Sequence, residues 1–130
     1  MKFGELLQSG DWKGEKHVPV IEAPEKVKAG ESFDVTLSVG KEIAHPNTTE
    51  HHICWIKLSF KPEGDKFGYE VAKVDFDGHG ASVKGANEGP VFTDPYGVVR
   101  LNLKISGTLI ATSYCNIHGF WESSQDIVAE

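Results

Sequence analysis

The chain is short of sulfur, of positive charge and of long apolar runs. Its N-terminal stretch, MKFGELLQSGDWKGEKH, holds only Leu6-Leu7 as an adjacent apolar pair, too little for a signal peptide or a membrane span. The expected address is therefore the cytoplasm. There, two cysteines, Cys54 and Cys115, read as a thiol and a metal ligand rather than a disulfide. No basic run and no stripe of interleaved aromatic and basic residues occurs, and the formal net charge is −6. Nucleic-acid binding is excluded, because phosphates need a positive footprint. The same negative charge repels small anions, so a site for one needs a local cation to offset it. A sustained helical period is missing too.

What is present is an ordinary globular composition, 39% hydrophobic and 25% charged, over 130 residues. That length suits one domain, residues 1–130. A chain of this size buries roughly two-thirds of its unfolded surface. Its core suffices without staples, so a bound metal would serve chemistry rather than folding.

Glycine (14) and proline (6) punctuate the chain at short intervals, and runs of period two lie between them. Phe33, Val35, Leu37 and Val39 alternate with polar residues across 32–39, as do Val99, Leu101, Leu103 and Ile105. Further strands are expected over 54–60, 69–76 and 109–114, weaker ones at 18–21 and, very short, at 81–83. Brief helical turns are expected at 3–7 and after His45-Pro46, where Asn47 can cap. Short strands with turns every eight to twelve residues predict an all-β, immunoglobulin-like antiparallel sandwich of about seven strands.

Six histidines are many for this length. Cys115-Asn116-Ile117-His118 ends an apolar strand and places two donors in one loop, a spacing that can fix both on one ion. Imidazole suits zinc, copper, iron and nickel, and thiolate favours redox-active centres. Several histidines plus a cysteine exceed the four donors of a structural zinc. A late Cys and His in a sandwich also fits a blue-copper site, but the only methionine is Met1, so its usual axial ligand is missing.

Three segments, GDWKGEKHVP, GKEIAHPNTTEHHI and SYCNIHGFWE, closely resemble the metal-site motifs of superoxide reductases, in particular the single-domain neelaredoxin type. They run in the right order from residue 10 to residue 122. The resemblance implies one mononuclear non-haem iron with His17, His45, His51 and His118 in a plane and Cys115 axial. It implies that Glu15 can take the sixth position in the ferric state and that Lys16 is the neighbouring cation. The activity implied is one-electron reduction of superoxide to hydrogen peroxide, with re-reduction by an external rubredoxin-like carrier in a homotetramer. The family's two-domain members carry an extra N-terminal iron-sulfur-type module, for which this chain has too few cysteines.

Those residue types suit the reaction. Lys16 would attract the anion and help deliver a proton. The Cys115 thiolate would donate density from the side opposite the substrate, so that peroxide leaves intact. Lys41 would add positive field near His45. His52 and His79 lack a ligand motif, Cys54 reads as a small buried hydrophobe, and Trp12, Trp55 and Trp121 read as packing residues. The Asn47-Thr48-Thr49 sequon carries little meaning without a secretory signal. Copper electron transfer, structural zinc, and dismutation at the same iron are the competing readings.

Overall fold

Alternation of apolar and polar residues decides which face of each strand is covered, and it is strongest in Phe33–Val39, Ile53–Pro62 and Gly107–Cys115. A computed structural model describes residues 1–130. A 3-10 turn at Phe3–Leu6 is followed by eight strands: β1 (Pro19–Glu22), β2 (Lys26–Val27), β3 (Phe33–Val39), β4 (Ile53–Pro62), β5 (Tyr69–Asp75), β6 (Tyr96–Leu101), β7 (Gly107–Cys115) and β8 (Gly119–Ala129). They form a three-stranded sheet, β1-β3-β6, and a five-stranded sheet, β2-β8-β7-β4-β5. Pairing is antiparallel except where β2 runs parallel to β8. Val35, Leu37 and Val39 of the smaller sheet share one core with Ile56, Leu58, Leu109, Ala111 and Ile127 of the larger. This is the two-sheet sandwich that the periodicity predicts.

Three expectations are corrected, and one strand was not expected. The strand expected to run to Ile105 stops at Leu101, since Leu103 turns into the core while Ile105 is exposed. Residues 81–83 form no strand: Ala81 and Ser82 are irregular and Val83 begins a turn. No helix follows Pro46; the Asn47 side chain instead donates to the Thr93 carbonyl at 3.0 Å. The longest strand, β8, has no apolar alternation because Ser123 and Gln125 spend their side chains as donors to the Pro19 and Ala23 carbonyls.

The topology gathers three connections at one end of the sandwich. β1 begins beside the end of β3 (Pro19 against Val39), and β4 begins beside the end of β7 (Ile53 against Cys115). Cys115 in turn faces Gly119 across the β7–β8 turn. At the start of β4 the register shifts between Ile53 and Trp55, a bulge that sets Cys54 out of step. Gly119 has φ of 82°, and a Cβ there would meet no atom within 4 Å. Gly119→Ala should therefore cost about 1–2 kcal/mol through backbone conformation alone. Urea unfolding would measure it, and a loss well above that range would mean that the turn is sterically closed.

Candidate metal centre

His17 lies on the loop before β1, His45 and His51 in the β3–β4 connection, and Cys115 and His118 on either side of the β7–β8 turn. One donor atom each from His17, His45, His51 and Cys115 lies within 4.8 Å of every other. His118 joins this group through Nδ1, 3.1 Å from His17 Nε2 and 3.9 Å from Cys115 Sγ. The four imidazoles form a nearly square array. Ring centroids are 4.9 Å apart for His17–His45, 4.8 Å for His45–His51, 5.0 Å for His51–His118 and 4.7 Å for His118–His17. The His17–His51 diagonal is 6.5 Å. Cys115 is fully buried, on the protein side, and His118 is exposed at the rim.

Hydrogen bonds outside the square decide which nitrogen faces in. His17 Nδ1 is 2.6 Å from Glu15 Oε1 and His45 Nδ1 is 2.7 Å from the Pro46 carbonyl. An ionised carboxylate and a carbonyl only accept, so each Nδ1 donates and each Nε2 is left as a bare lone pair. The Nε2 atoms of His45 and His51 are buried without any partner. An orphaned buried polar atom is costly, and two in one cluster require an explanation. A metal ion supplies it. Two nitrogens bound at right angles at about 2.1 Å would lie roughly 3 Å apart, close to the His17–His118 approach. Five donors, four imidazoles and a thiol, exceed a tetrahedral zinc and suit a redox metal with one position left open.

Neighbours fix these donors. Trp121 stacks on His17 (4.9 Å, 14°) and its Nε1 donates to the His118 carbonyl at 3.2 Å. Gln8 donates to the same carbonyl at 3.1 Å. The His118 amide donates to Cys115 Sγ at 3.4 Å, which fixes the sulfur against the turn. Asn116 ties the β7–β8 turn to the histidine loop, accepting from the His52 amide at 2.8 Å and donating to the Glu50 carbonyl at 2.8 Å. Trp121 is thus more than filler, although only its spacing from His118 could have suggested this.

Charges around the site differ in kind. Lys16 is half-buried and pairs with no carboxylate; the structure's ion pairs engage Lys26, Lys28, Lys41, Lys57, Lys73 and Arg100 instead. Lys41 is neutralised by Glu22 at 2.5 Å and sits over the Trp12 ring, which removes it as a free source of positive field. The hydrogen bond from His17 holds the Glu15 carboxyl below its ordinary range. Burial pushes the His45 imidazole down to about 4, helped by His17, His51 and Lys16 and opposed by the Pro46 carbonyl. Burial lowers His51 as well, ahead of the field of His118. Burial raises the half-buried Cys54 thiol, which keeps it unreactive. His52 and His79 lie outside the donor group, as expected, and stack on each other.

A family model for desulfoferrodoxin matches residues 9–124, the span from the loop before His17 to β8. The chain belongs to the desulfoferrodoxin family. A neelaredoxin from Megalodesulfovibrio gigas is 57% identical to it over 127 residues, 98% of each chain. A superoxide reductase from Pyrococcus furiosus is 56% identical over 121 residues, 93% of this chain and 95% of the relative. The crystal structure of a Thermotoga maritima chain superimposes with a TM-score of 0.98 at 57% identity, covering 100% of this chain and 98% of that one. The donor square of this desulfoferrodoxin chain fits the family's iron centre.

Because His45 titrates near 4 when folded and near 6.5 when unfolded, its contribution to stability is complete above pH 6.5 and is lost as pH falls through 4. Metal-free protein should lose roughly 3 kcal/mol from this group across that window. Urea midpoints measured from pH 7 to pH 4 would check it; a flat profile would show that His45 is not buried as a neutral ring.

Proposed function

We propose that the chain is a superoxide reductase, a single domain over residues 1–130 that reduces superoxide to hydrogen peroxide at one mononuclear non-haem iron. The observation that carries this is the pair of partnerless Nε2 atoms, on His45 and His51, within a square of four imidazoles beside a buried thiol. High identity to a superoxide reductase along nearly the whole chain supports it.

His17, His45 and His51 would hold the iron through Nε2, His118 through Nδ1, and Cys115 through sulfur. Iron bound there, cycling between ferrous and ferric, would supply the single electron that superoxide needs. Superoxide gains that electron and two protons and leaves as hydrogen peroxide. Lys16, the unpaired half-buried cation beside the site, offsets a molecular charge that repels the substrate. Its ammonium would also help deliver a proton through water. Cys115 is buried and would hold the iron from the protein side, donating electron density to it, while the exposed His118 marks the side open to solvent. Glu15 orients His17 through Nδ1 and is the residue that would close the ferric site as a sixth ligand once it releases that bond.

The chain offers no second redox centre, so the electron must return from outside, from a small rubredoxin-like carrier. The resemblance to neelaredoxins supports a homotetramer and a cytoplasmic setting; no helix is long and apolar enough to cross a membrane.

Pre-reduced protein mixed with a substoichiometric pulse of superoxide should yield one peroxide per superoxide and no oxygen. Half that peroxide with oxygen released would make the protein a dismutase instead. Lys16→Ala should slow superoxide capture about tenfold and flatten its dependence on ionic strength. Pulse radiolysis at several salt concentrations would measure this, and an unchanged rate would remove the role of Lys16.

A further inference from the structure

The turn Asp77-Gly78-His79-Gly80 contributes nothing to the donor group, yet it is built against the loop that carries two of the donors. Both ring nitrogens of His79 face oxygen atoms, Nε2 2.6 Å from the Phe76 carbonyl and Nδ1 3.0 Å from Asn47 Oδ1, and a neutral ring donates to one of them while resting against the other. The Asn47 amide is oriented from its other end, where Nδ2 donates to the Thr93 carbonyl at 3.0 Å. The His79 ring also lies flat on His52, with centroids 3.5 Å apart and planes 3° from parallel. His52 in turn reaches the Thr48 carbonyl through Nδ1 at 2.9 Å.

The main chain repeats this grip. Thr49 Oγ1 donates to the His79 carbonyl at 2.7 Å and accepts from the Asn87 amide at 3.0 Å. Asn87 Oδ1 takes the Thr49 amide at 2.8 Å. Asn47, Thr49 and His52 are thus each held by residues 79–87, and they lie between or just after His45 and His51. The segment bearing His79 is packed in its turn. A Cβ on Gly78 would stand 2.6 Å from Val91 Cγ1 and 2.9 Å from Thr93 Oγ1, and one on Gly80 would overlap the Phe92 ring. These two glycines let the loop press closely enough for the imidazole between them to reach Asn47.

We propose that His79 is a positioning residue for the metal centre, locking the His45–His51 loop into its ligating shape before any metal arrives. The inference rests on the reading of His45 and His51 as ligands. Side chains that orient ligands from outside the coordination sphere commonly change metal affinity by about 10–100-fold. A ring that merely filled space would lower overall stability without acting on this loop in particular.

The test is a double-mutant cycle on the full chain with His79→Ala and Asn47→Ala. Iron release to a competing chelator should speed up about 10–100-fold in either single variant. The double variant should fall clearly short of the sum of the two singles, because both lose the shared Nδ1–Oδ1 contact while each also loses contacts of its own. In metal-free protein, amide hydrogen exchange at residues 47–52 should rise selectively in His79→Ala while exchange in β4 and β7 stays slow. The visible iron-thiolate band should broaden or move. Should His79→Ala fail to fold, His79→Gln, which keeps a donor for the Phe76 carbonyl, carries the same expectation. Release within twofold of wild type, additive effects, or exchange raised uniformly along the chain would each overturn the proposal. A wild-type chain that takes up no iron would sink both the metal-centre reading and this inference; unchanged release from an iron-loaded wild type sinks the inference alone.

Discussion

Several nitrogen lone pairs aimed at one point, with no proton between them, form an arrangement that repels itself and that water would disperse. The fold must hold it by force of geometry. Three connections from different parts of the chain end at the same rim of the sandwich, and the two sheets behind them share a dry core. Two of the four imidazoles are pinned on their outer side, His17 by Glu15 and His45 by the Pro46 carbonyl. Strands supply position and outer hydrogen bonds supply orientation; neither alone would leave bare nitrogens facing inward.

The same geometry keeps the donors ready. Burial that holds His45 neutral means that no proton competes for its inner nitrogen near neutral pH. Burial of Cys115 removes its thiol from solution chemistry and leaves it the centre alone to serve, while the exposed rim at His118 leaves a way in for a small solute. On the proposed reading, the unfavourable molecular charge would be answered locally by Lys16 rather than by the composition as a whole.

Much of this was legible in the sequence, for identifiable reasons. Period-two runs marked β3, β4 and β7 because those strands pack one face on the core. The Cys115–His118 pair stood out because a metal demands particular atoms, whereas which other histidines join it came from the motifs' resemblance to a known family. The outer partners were not, because a carbonyl of Pro46 or a stacked Trp121 becomes specific only in three dimensions. β8 escaped notice because its serines and glutamine form cross-sheet hydrogen bonds where periodicity looks for apolar side chains. Lys41 was misread since Glu22, nineteen residues earlier, cannot be seen as its partner along the chain.

Cys54 gains its meaning from counting rather than from sulfur. A strand turns its side chains over at every residue, so Ile53 and Ile56, three apart, should face opposite ways, yet both are buried. The bulge between Ile53 and Trp55 absorbs one residue and shifts the phase by half a cycle. Cys54 is that extra beat. Removing one residue there would leave Ile53 and Ile56 two apart and still on one face of a regular strand, so what Cys54 adds is the local bend at the base of the donor loops rather than the alternation itself.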